Sequence, residues 1–149
     1  MARDPATRAR HLTRELLVKA LYQWQIAGHG LPELRRQFSA LADFERCDAD
    51  YFNELLKIVI DDVAALDALI ARYAVRSVEQ LDAVGRAVLL LGLAELKHRA
   101  EIPTKVVINE AVELTKRYGV TDGHKFVNAV LDKASREIDR TAAVPGGKP

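Results

Sequence analysis

The sequence predicts an all-α protein, and three observations carry that prediction. The 149 residues are 49% hydrophobic but only 6% aromatic. Ala, Leu and Val dominate the apolar set, which suits helix packing better than a β-sandwich. Apolar residues recur at spacings of three and four, and no stretch alternates with the period of two that a half-buried strand needs. Between the periodic stretches stand Gly, Pro, Asp and Ser, the residues that stop one helix and start the next. The pattern reads as about seven helices in one compact unit.

The elements follow in order. Asp4-Pro5 is a helix entrance, a capping residue followed by proline at the first helical position. Leu12, Leu16, Leu17, Ala20, Leu21 and Trp24 then form a stripe that ends at Gly28. Pro32 opens a second helix with Leu34, Phe38 and Leu41 inward. Asp48 or Asp50 starts a third, whose stripe runs through Phe52, Leu55, Leu56, Val59, Ile60, Val63, Leu66 and Ile70. Ser77-Val78-Glu79-Gln80 fits a capping box, with Leu81 and Val84 behind it. Arg86 to Arg99 is apolar on nearly every face, which places that helix at the centre of the fold.

The last two helices are the most heavily specified. Pro103 precedes a Thr104 N-cap, and Val107, Ala111, Leu114 and Tyr118 face inward before a stop at Gly119. Asp122 caps the final helix, which turns Val127, Val130, Leu131, Ala134 and Ile138 to the core. No internal repeat or long linker divides the chain. Residues 1–141 therefore read as a single helical domain, and 142–149, with Gly146-Gly147 between two prolines, as a disordered tail.

The formal net charge of +1 hides an uneven distribution. Arg3, Arg8, Arg10, Arg14 and Lys19 oppose only Asp4 and Glu15 in the first helix region, whereas Asp43 to Asp67 carries eight acids against Arg46 and Lys57. A basic end of this kind suits a polyanion. Cys47 is the single cysteine, so no internal disulfide forms and a reducing cytoplasm is the expected compartment. No apolar signal core follows the basic N-terminus. The longest apolar run, Ala87 to Ala94, is too short to span a bilayer.

Catalytic chemistry finds little support. His11, His29, His98 and His124 are scattered without metal-ligand spacing. Gly28-His29-Gly30 lacks the lysine and the preceding strand of a phosphate loop, and reads as a helix stop. Asp61 and Asp62 point about 100° apart on a helix and read as a solvated face rather than a carboxylate pair. The sequence thus predicts no enzyme, no cofactor and no metal.

Recognition is better supported. Arg10, Arg14, Val18 and Tyr22 stand four apart and share one helix face, so guanidiniums for phosphates lead to a ring for stacking or partner contact. The plainer alternative is a solvated basic helix with Tyr22 flanking the core stripe. Phe126 lies at the edge of its helix's inward stripe, beside Lys125, which makes it a candidate base-stacking platform. Packing near Tyr118 is the alternative. Asn109 and Glu110 read as structural hydrogen-bonding groups near the same turn.

Four blocks of sequence carry a family resemblance. They are Ala20-Leu21-Tyr22-Gln23-Trp24-Gln25, Arg86-Ala87-Val88-Leu89, Ile102-Pro103 with Lys105 to Ala111, and His124 to Asp132. In this order, over Arg8 to Ile138, the chain resembles the bacterial transcription antitermination factors of the NusB family. The resemblance implies seven helices in two perpendicular helical subdomains. It implies binding to boxA RNA of ribosomal RNA leader transcripts, together with the ribosomal protein NusE, inside an RNA polymerase antitermination complex.

Carried over by position, the family's arginine-rich start falls on Arg8, Arg10, His11 and Arg14, and its RNA-contacting turn on Asp122, Lys125 and Phe126. Tyr22 matches the tyrosine used against NusE, with Arg86 beside it in the partner set. Two departures stand out. His11, Leu12 and Thr13 dilute the arginine run, and Gly85 replaces an acid that helps relatives hold NusE. Asp82, one turn earlier, is the substitute. Rival readings are an RNA methyltransferase's NusB-like domain, for which no methyl-donor motif is present, a helix-turn-helix DNA binder, and a ribosomal-protein-binding or rRNA-maturation assembly factor without RNA specificity of its own. The apolar surface leaves room for a homodimer.

Overall fold

A computed structural model describes residues 4–74 and 81–138. Among these residues are seven α-helices, one short 3-10 helix and no strand. The chain divides into two compact units between Asp61 and Asp62.

The first unit is built on α1 (Pro5–Ala27). Asp4 Oδ1 accepts the Thr7 N–H at 2.8 Å, satisfying a donor that the first turn leaves open. Gly28 ends the helix at φ 72°, where its N–H donates to Trp24 O, and a residue without Cβ enters that left-handed region at little cost. Next, α2 (Leu31–Ser39) buries Leu34 and Phe38. The expectation for Leu41 fails: it is 46% exposed. The helix stops at Ser39, and the chain tightens into the 3-10 turn Ala42–Arg46, carrying residue 41 off the inward stripe.

Helix α3 (Ala49–Asp61) is capped by Asp48, whose Oδ1 accepts the Tyr51 N–H at 3.1 Å. It buries Tyr51, Phe52, Leu55, Leu56 and Val59, and packs on α1 and α2. The Phe52 ring lies between Phe38, stacked at 5.6 Å, and Phe44, edge-on at 5.3 Å.

The sequence pattern ran one helix on to Ile70, and the structure corrects this. At Asp62 the backbone leaves helical geometry (φ −105°, ψ 13°), and α4 (Val63–Tyr73) begins anew. Apolar spacing survives the break, since Leu66 and Ile70 are still buried, so periodicity alone could not reveal it. Nor is Asp62 a solvated charge. Its Oδ2 is held by Lys97 Nζ at 2.8 Å and His98 Nε2 at 3.1 Å. Burial works to raise its pKa, but those two partners prevail and hold it below the ordinary carboxylate value. Asp61 is the surface member of the pair, bridged to Lys57 one turn back.

The second unit is organised by α5 (Ala83–His98), buried continuously from Ala87 to Leu96 and packed against α4, α6 and α7. Asp82 starts it, with Oδ2 accepting the Gly85 N–H at 2.9 Å. The expected capping box at Ser77–Gln80 lies outside the described residues. Helix α6 (Thr104–Tyr118) places Pro103, not Thr104, at the N-cap position, without a side-chain cap. Gly119 does stop it: a Cβ there would stand 2.8 Å from Thr115 O. Finally α7 (Gly123–Glu137) buries Val127, Val130, Leu131 and Ala134. The expected tail, 142–149, also lies outside the described residues.

Candidate nucleic-acid interface

The basic face of α1 is narrower than the sequence suggests. Arg8 is exposed, and Arg10 and His11 are half-buried. Arg14, expected as a phosphate contact, is only 4% exposed, so it offers a phosphate little of its side chain as the chain stands. It lies in a run of six consecutive buried residues, Thr13 to Val18, where α1 is covered on all sides. The four-residue ladder from Arg10 to Tyr22 therefore surfaces only at its two ends. At the far end Tyr22 is 43% exposed. One further step of four reaches Ile26, 64% exposed, which the inward stripe gave no reason to single out.

Arg10 is anchored within its own unit. Its guanidinium carbon stands 3.7 Å from the Tyr51 ring centroid, and Nη2 donates to Asp48 Oδ2 at 3.3 Å. Asp48 is itself fixed on both sides: its carboxylate caps α3, and its N–H donates to Thr13 Oγ1 at 2.8 Å. Neither Asp48 nor Tyr51 was legible as an arginine seat, because they lie 38 and 41 residues away in sequence. Cys47, next to this seat, is half-buried, and burial pushes its thiol pKa up.

The second unit carries the other candidate patch, at the start of α7. Lys125 is exposed and Phe126 half-buried, as its position at the edge of the stripe implies. Val120 adds exposed apolar surface to the preceding turn. Asp122 holds the N-cap position, but its side chain makes no capping hydrogen bond. Its backbone is left-handed (φ 63°), and its carboxylate faces Lys125 Nζ at 3.6 Å instead. The expected cap is therefore a strained turn residue.

This correction has a measurable consequence. Asp122→Asn should hold its melting temperature, because Asn tolerates the left-handed region. Asp122→Ser and Asp122→Ala should each lose about 1 kcal/mol, the scale of the left-handed penalty for an ordinary residue. Were capping the role, Ser would rescue and Ala alone would lose stability. Thermal melts of the three variants decide between the two.

Asp82 and Arg86, expected to contact a protein partner, already have structural tasks. Arg86 clamps Asp67 of α4 through Nε to Oδ1 at 3.0 Å and Nη2 to Oδ2 at 2.6 Å, a paired geometry suited to a half-buried bridge. Asp82 caps α5. A Cβ on Gly85 would meet the Asp82 carboxylate at 2.8 Å, so an acid at position 85 would have to displace that cap. Among the described residues, no group of three or more His, Cys, Asp or Glu could hold a metal ion, and no helix is long and apolar enough to cross a membrane.

Known proteins resemble this chain along most of its length. The profile described as the NusB family matches residues 11–136. Transcription antitermination protein NusB of Alcanivorax borkumensis is 44% identical over 136 residues, covering 91% of this chain and 91% of that protein. Its counterpart in Yersinia pestis (strain Pestoides F) is 47% identical over 130 residues, covering 87% and 94%. Among solved structures, NusB of T. maritima superposes with a TM-score of 0.78 at 31% identity, covering 87% of this chain and 92% of the other. A chain from a crystal structure of antitermination factors NusB and NusE in complex with double-stranded RNA gives a TM-score of 0.76 at 25% identity, covering 87% and 98%.

Proposed function

Because the chain belongs to the NusB family, we propose that it is a transcription antitermination factor that binds boxA RNA together with the ribosomal protein NusE. In this reading the RNA–protein assembly joins an RNA polymerase antitermination complex in the cytoplasm. The observation that carries the reading is the exposed surface of α1, where Arg8, Arg10 and His11 lead along the helix to an exposed Tyr22 and Ile26. Cations at one end suit phosphates, and an aromatic–aliphatic pair at the other suits a protein partner. On α7, Lys125 and Phe126 supply a charge and a ring for unpaired bases. Assembly is the mechanism: RNA and NusE each strengthen the other's binding by the same factor.

A second reading, an assembly factor that grips NusE without RNA specificity of its own, is favoured by one observation. Burial of Arg14 removes a cation from the exposed set. Gel shifts with boxA RNA and a scrambled RNA, each with and without NusE, separate the two. The antitermination reading predicts boxA binding that NusE tightens and salt weakens; NusE binding without RNA preference establishes the second. Phe126→Ala should lower boxA affinity by about 1–3 kcal/mol if a base stacks on the ring. A variant that melts far earlier yet binds RNA normally would place the ring's role in packing.

A further inference from the structure

We infer that Tyr51 and Asp48, at the start of α3, are positioning residues for RNA binding: they seat the Arg10 guanidinium as a preset phosphate contact. The inference rests on the RNA-binding reading above and adds to it the residues that set the geometry of one contact. A free arginine on a helix end is a flexible arm, and docking it on a phosphate freezes several rotatable bonds. Arg10 already has a seat that restricts it. Its guanidinium lies over the Tyr51 ring at 3.7 Å, and Tyr51 is buried, only 5% exposed. Asp48, pinned by its cap on α3 and by Thr13, fixes one edge of the guanidinium.

The seat does not satisfy what it holds. Among the described residues, Asp48 is the only hydrogen-bond partner of Arg10, at a long 3.3 Å, and Nε is buried without a partner. A guanidinium offers five donors, and leaving one of them, Nε, buried and unused is costly. Pure packing would be served better by an apolar side chain. Yet the Arg10 side chain remains 31% exposed, so part of this seated cation stays open to an outside anion. An anion with several acceptor oxygens completes such a group, and the phosphates of RNA are that anion. Charge alone does not make this seat, because stacking on a ring and a forked, planar edge are properties of arginine that lysine lacks.

The test is a substitution that keeps the charge. Affinity for boxA RNA is measured over a salt series for the wild type, Arg10→Lys, Arg36→Lys, Tyr51→Phe, Tyr51→Leu and the Arg10→Lys/Tyr51→Leu double variant, with melting curves for each. Arg10→Lys should weaken binding about three- to tenfold, whereas Arg36→Lys, on the exposed face of α2 and outside the candidate interface, should bind like the wild type. Tyr51→Phe keeps the ring and should keep affinity. In the Tyr51→Leu background, Arg10→Lys should cost nothing further, because the seat is already gone. If Tyr51→Leu does not fold, the contrast between Arg10→Lys and Arg36→Lys decides alone. Equal affinity of Arg10→Lys and the wild type overturns the inference and leaves RNA binding standing. A wild-type protein that fails to bind boxA RNA, alone and with NusE, overturns both.

Discussion

Replacing Phe52 with alanine should remove about 3–5 kcal/mol of stability, the range for an aromatic ring deleted from a packed core. The side chain is fully buried, and its ring is sandwiched between Phe38 and Phe44. It therefore joins α3 to α2 and to the 3-10 turn, alongside the packing of both on α1 and the Arg35 hydrogen bond from α2 to Asn53 O of α3. The turn Ala42–Arg46 buries no residue of its own, and α2 buries only two. Such a loss is a large fraction of the stability of an ordinary domain. Phe52→Leu keeps most of the volume and should cost much less. Urea unfolding followed by circular dichroism measures both. A midpoint for Phe52→Ala close to the wild-type value would mean that the three-ring cluster is not what holds α2 in place.

The fold was legible wherever a local signal coincided with a long-range one. Helix α5 is apolar all round because it is enclosed by α4, α6 and α7, and that needs no partner to be named in advance. Asp4-Pro5 and Gly28 were readable because capping chemistry acts within a few residues. Elements went astray where the deciding contact was distant. The break at Asp62 has no proline or glycine to mark it; its carboxylate is held by Lys97 and His98, more than 30 residues on. Arg14 carries the same charge as Arg10 and lies on the same helical ladder, so spacing could not tell that one is buried and the other is seated. Asp122 stands where an N-cap belongs, and only its φ of 63° shows that the side chain is turned away from that task. In each case the residue type was informative and the direction in which it points was not. Direction is set by packing, which pattern rules do not see.

Tyr22→Ala should weaken NusE binding by about 2 kcal/mol or more while leaving the fold intact. Tyrosine is among the residues that dominate interface energetics, because it offers a large rigid area at small entropic cost. At 43% exposure the ring of Tyr22 has area to give to a partner, and Ile26, one turn on and 64% exposed, extends the same apolar strip. Loss of the ring should barely change melting, since alanine is the stronger helix former and half the side chain was in water already. Tyr22→Phe separates the hydroxyl from the ring: it should lose about 0.5–1.5 kcal/mol, the net worth of one hydrogen bond. Calorimetric titration with NusE and thermal melts of both variants test this directly. Normal NusE affinity together with an early melt would make Tyr22 a core residue. A wild-type protein that self-associates and is rendered monomeric by Tyr22→Ala, with NusE affinity unchanged, would assign the strip to a homodimer instead.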